Sequence, residues 1–123
     1  MPDELPASPA DLRPAGLRLW RSVVVAFELD EHELVLLLQA CRTADLLDEL
    51  AAAVRRDGAL VEGPQGQRAH PAAVEARQQR IVLARLLAAL RLPAGSEGDH
   101  QAGARPQRHM GVRGVQQIRG LVS

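Results

Sequence analysis

The sequence predicts a mainly α fold: a short N-terminal helix plus two long antiparallel helices joined by a small β-hairpin, with a disordered basic C-terminal tail. Three observations predict it. The apolar residues of this 123-residue chain are mostly Leu, Ala and Val, and its aromatics are only Trp20 and Phe27. That mixture suits helices packed on helices better than a β-sandwich, which draws on aromatic and β-branched residues. Apolar residues recur at spacings of three and four along two long stretches, as on one face of a helix. Between those stretches, residues 57–71 read Asp-Gly-Ala-Leu-Val-Glu-Gly-Pro-Gln-Gly-Gln-Arg-Ala-His-Pro, a compact insert rich in turn residues.

Residues 1–13 carry Pro2, Pro6 and Pro9 with Ser8 and scattered acids, and read as a flexible leader. Gly16 to Phe27 is the first helix, with Leu17, Trp20, Val23, Val24 and Phe27 on one side. Asp30 is a good N-cap, and Glu33 three residues on completes a capping-box pattern. A second helix follows to Asp57, roughly 42 Å long at 1.5 Å per residue. Its apolar face is Leu37, Cys41, Ala44, Leu47, Ala51 and Val54, widened by Leu34, Leu38, Leu46 and Leu50.

Gly58 stops that helix, because glycine accepts the left-handed conformation after a helix end. Leu60 and Val61 start a hairpin, Gly63-Pro64-Gln65-Gly66 turns it, and Gln67 to His70 returns. The same four residues have the outline of a GxxG nucleic-acid clamp, but the sheet and helices of that module are missing, so a turn is the reading. His70 caps the third helix or ends the hairpin, and Pro71 has the fixed φ of a first helical turn. The third helix runs from about Pro71 to Leu92, with Val74, Ile81, Leu83, Ala84, Leu86, Leu87 and Leu90 on its apolar side. Leu92-Pro93 closes it. Residues 94–123 are rich in Gly and Arg, with no acid after Asp99.

The two long helices carry more apolar surface than one antiparallel pair hides, and wide uncovered stripes mark interfaces. The expectation is a homo-oligomer built through Leu37, Cys41, Ala44, Leu47, Val54, Ile81, Leu83 and Leu87.

Composition excludes several classes. No Gly-rich phosphate loop exists, and there is no lysine to serve one. Cys41 is the lone cysteine, which rules out an internal disulfide and fits a reducing compartment. His32, His70, His100 and His109 are not paired at metal-ligand spacing, so neither metal nor cofactor is expected. No nucleophile and base stand together, and the chain does not read as an enzyme. No apolar run approaches membrane-spanning length, and Asp3 and Glu4 stand where a secretory signal carries positive charge. These signs predict a cytoplasmic protein.

Net charge is zero but polarised. Residues 1–57 hold eleven acids against six arginines, a net of −5, and residues 58–123 hold nine arginines against four acids, a net of +5. Such polarity aligns neighbouring copies or turns one end toward an anion. Arg77, Arg80 and Arg85 are placed to meet Asp45, Asp48 or Glu49 of the second helix, in the same copy or the next.

One order of features now stands out: Trp20 in a first helix, Leu29-Asp30 opening a long second helix, Asp57-Gly58, the glycine turn Gly63 to Gln67, His70-Pro71, and Leu90-Arg91-Leu92-Pro93. Over residues 14–93 it resembles the small terminase subunit of tailed bacteriophages and prophages. Two features depart from the family pattern. Arg91 stands where glycine is frequent, and basic residues after the closing proline are delayed to Arg105 and Arg108. The resemblance implies a non-catalytic DNA-packaging factor. Such a factor forms ring oligomers, binds double-stranded viral DNA and regulates the large terminase subunit, which holds ATPase and nuclease. DNA contact would then rest on Arg105, Arg108, Arg113 and Arg119 in the tail, or on Arg13, Arg18 and Arg21 along the first helix. The competing reading is a helical homo-oligomeric interaction module without nucleic-acid binding. A transcriptional regulator fits less well, because no recognition-helix pair is joined by a tight turn.

Overall fold

A computed structural model describes residues 4–93. The elements are α1 (Pro14–Ala26), α2 (Glu31–Asp57), β1 (Leu60–Gly63), β2 (Gly66–Ala69) and α3 (Pro71–Leu90). The expected architecture is present: a short helix, then two long antiparallel helices joined by a hairpin. The tail, with Arg105, Arg108, Arg113 and Arg119, lies outside the described residues.

Local chemistry fixes most boundaries. Asp30 and Glu33 form the capping box that opens α2, and the Glu33 carboxylate accepts the Asp30 N–H at 2.8 Å. Gly58, at φ 87°, ends α2 and donates its N–H to the Val54 carbonyl at 2.7 Å. The hairpin pairs Leu60 with Ala69 and Gly63 with Gly66, and the His70 N–H extends it to the Ala59 carbonyl. His70 then caps α3: its Nδ1 accepts the Ala72 N–H at 2.9 Å, ahead of Pro71 in the first turn. With Nδ1 accepting, the ring proton sits on Nε2, 2.9 Å from an Asp57 carboxylate oxygen. One imidazole therefore ties the end of α2 to the start of α3.

Three boundaries differ from expectation. α1 starts at Pro14, two residues early, because its N-terminal amides are satisfied from α2 rather than by a local cap. α3 ends at Leu90, two residues early. Arg91 turns left-handed at φ 58°, and Leu92 before Pro93 resists the helical conformation. Residues 4–13, expected as a flexible leader, lie against the helices. Leu12 packs on the core, and the Trp20 indole N–H donates to the Pro6 carbonyl at 3.4 Å.

α1 packs along α2 and meets the end of α3 at Leu87 and Leu90. The sealed centre is Trp20, Val23 and Val24 from α1, Leu37 and Cys41 from α2, and Leu90 from α3. This corrects two expected interface positions. Leu37 and Cys41 are each 0% exposed within a single copy, so they hold the three helices together and face no second molecule. Leu87 also packs against this cluster.

α1 covers only part of the length of α2. It has 13 residues against 27 in α2, and its N-terminus stops beside Asp45, about halfway along. Beyond that point the cleft between α2 and α3 is open.

Candidate functional site

Two features border the start of α1: a latch that holds the helix down, and the open half of the cleft. The latch is Asp45. Its carboxylate is buried and accepts the Arg13 N–H and the Gly16 N–H, each at 2.7 Å. These amides belong to the first turn of α1, where no residue of the helix itself supplies a capping side chain. The negative charge also complements the positive end of the helix dipole. The contact demands a close approach. A Cβ on Gly16 would lie 2.5 Å from an Asp45 oxygen and 2.6 Å from the Cys41 carbonyl oxygen. Glycine is thus required inside a helix it would otherwise weaken. Around the latch, Arg13 pairs with Glu49, and Arg42 pairs with Asp11 at 3.2 Å. Both pairs are exposed and set position more than stability.

The expected charge pairs across α2 and α3 are therefore displaced. Asp45 and Glu49 serve α1, and neither meets Arg77, Arg80 or Arg85. Sequence reasoning missed the latch, though a signal was present. Leu37, Cys41 and Asp45 follow at spacings of four, which puts a carboxylate on the apolar stripe itself.

The open half of the cleft is a groove of about 530 Å³. Ala44, Leu47 and Val54, expected at an oligomer interface, line its α2 wall, and Leu83 lines the α3 wall with Ala73 and Ala76. Ile81 is not part of it. It is 45% exposed and projects from the far side of α3, since two residues from Leu83 is a turn of about 200°. Val74 shares that outer side and is 42% exposed. The expected interface residues thus divide three ways, into core, groove and outer face.

The three arginines of the first helix do come together. Arg13, Arg18 and Arg21 border one depression of about 410 Å³, with Leu12, Pro14 and Leu17, and no carboxylate lines it. Arg18 and Arg21 are exposed, and no ion pair engages them among the described residues. Arg13 shares its charge with Glu49.

Two further titratable groups are shifted by their surroundings. Burial pushes the Cys41 thiol up to about 12, and the Asp45 charge adds to the effect. A thiol so held is no nucleophile at neutral pH. Native protein should therefore react with Ellman's reagent at least about a hundredfold more slowly than unfolded protein. Rapid labelling of the native chain would take Cys41 out of the core. The Arg56 hydrogen bond, and then that of His70, hold the Asp57 carboxyl well below the usual carboxylate range.

Among the described residues no group of His, Cys, Asp and Glu could hold a metal ion, and no helix is long and apolar enough to cross a membrane. No family model, curated protein or solved structure matches the chain.

Proposed function

We propose that this chain is a non-catalytic DNA-packaging factor of the small terminase subunit kind, working in the cytoplasm of a bacterial host. It self-associates, binds double-stranded viral DNA, and regulates a large subunit that carries the ATPase and nuclease. The observation that carries the reading is the arginine-bordered depression on α1. A short helix is pinned to the body by its buried face, and Arg18 and Arg21 stand free on its outer side. Arginines of this kind contact phosphates without reading bases.

A second detail supports the resemblance. The family pattern favours glycine at the position of Arg91, and the backbone at Arg91 is left-handed, φ 58°. That is the conformation for which glycine is the natural occupant.

Duplex binding followed by fluorescence anisotropy tests the proposal. The double variant Arg18→Ala/Arg21→Ala should bind about tenfold more weakly at low salt. It should also lower the slope of log affinity against log salt by about 2, one for each lost phosphate contact. Wild-type affinity and slope in that variant would remove α1 from the DNA contact. No binding by the wild-type chain at low salt would leave the interaction module without nucleic acid as the better account.

A further inference from the structure

We infer that the open half of the α2/α3 cleft is the contact between two copies of this chain, related by a twofold axis parallel to the helix pair. The inference rests on the self-association in the proposed function and gives it a surface and a geometry. The apolar lining of the groove includes Leu47, Ala51, Val54, Ala73, Ala76 and Leu83. The alanines let a second pair of helices approach closely, and burial of the leucines and valine supplies the driving force.

Charge identifies the occupant. Asp48 stands on the α2 wall and Arg80 on the α3 wall of the same groove. Neither has an ion-pair partner among the described residues. They lie at nearly one level. Asp57 meets His70 at one end of the antiparallel pair, and Leu37 and Leu90 share the core at the other. Counting equally from both ends brings Asp48 opposite Arg80. A twofold axis along the helices lays α2 of each copy over α3 of the other and keeps every residue at its own level. Asp48 of one copy then faces Arg80 of the second, and the reciprocal pair forms by symmetry. A surface that satisfies both of its charges against itself is the mark of an isologous contact. A twofold axis across the helices would lay α2 on α2 and leave like charges together. The groove joins copies in pairs, so a closed ring would need a separate heterologous surface.

The test uses the full chain, with mass read by native mass spectrometry and sedimentation. The wild type should dimerise with concentration. Asp48→Arg alone and Arg80→Asp alone each set like charges against one another twice across the axis. Each should weaken dimerisation by about tenfold or more. Mixing the two single variants should restore the dimer as a one-to-one heterodimer, because one copy then brings two arginines and the other two aspartates. The double variant D48R/R80D should dimerise on its own. Circular dichroism melts confirm that each variant is folded, and recovery on mixing shows the same independently. A wild-type oligomer that persists unchanged in both single variants would overturn this contact while sparing self-association. A wild type that stays monomeric at high micromolar concentration would overturn both.

Discussion

Replacing Gly16 with alanine is expected to destabilise the fold by roughly 2–4 kcal/mol, even though alanine is the better helix former. Two effects of opposite sign compete at this position. In a solvent-exposed helix the substitution would stabilise by about 1 kcal/mol, through a smaller loss of backbone entropy. Here the new methyl would meet the Cys41 carbonyl at 2.6 Å and the Asp45 carboxylate at 2.5 Å. Backbone oxygen cannot step aside without moving α2. The Asp45 side chain cannot step aside without releasing the N–H groups of Arg13 and Gly16. Overpacking and the loss of charge-assisted hydrogen bonds to buried amides therefore add, and together they outweigh helix propensity. For a body of this size the melting temperature should fall by about 10–20 °C. Thermal melts followed at 222 nm check the sign directly. A rise in melting temperature would mean that α1 does not dock on Asp45, and the latch would be lost from the account.

What was legible in the sequence was local. Asp30 with Glu33, Gly58 and His70 with Pro71 act within one turn of their own position, and each performs the role its type and spacing suggested. The hairpin belongs to the same class, because Gly63-Pro64-Gln65-Gly66 turns the chain whatever surrounds it. Leu37 and Leu47 lie on one helix face in the sequence, and nothing in their spacing distinguishes them. α1 ends between their levels, so Leu37 is sealed and Leu47 borders the groove. That division depends on how far a neighbouring helix reaches, 13 residues long against the 27 of α2. Asp45 was illegible for a related reason. It acts 29 and 32 residues away, on amides of another helix. Ile81 shows the converse case: its angle from Leu83 and Leu90 turns it to the outer face of α3, away from the groove. The candidate DNA contact was read from residue type alone. What the fold adds is that Arg18 and Arg21 lie beside one depression while Arg13 is drawn toward Glu49.

Leu37→Ala should cost about 3 kcal/mol and lower the melting temperature by about 15 °C, at any protein concentration. Leu37 is 0% exposed and is enclosed with Trp20, Val24 and Leu90 from the other two helices. Removing three carbons there leaves a void that all three helices must close at once, and none is free to do so. The concentration term decides between core and interface. An interface leucine stabilises only the associated form, so its loss would shift the midpoint in concentrated solution and fade on dilution. A core leucine stabilises each copy alone, and its loss shifts the midpoint equally at low and high micromolar concentration. Guanidinium titrations at two concentrations separate the cases, with an unchanged denaturant slope reporting that the variant unfolds from the same compact state. A concentration-dependent loss would return Leu37 to the contact between copies and would mean that α1 does not cover it. The groove would then run the full length of α2, and the level at which Asp48 faces Arg80 would no longer mark its centre.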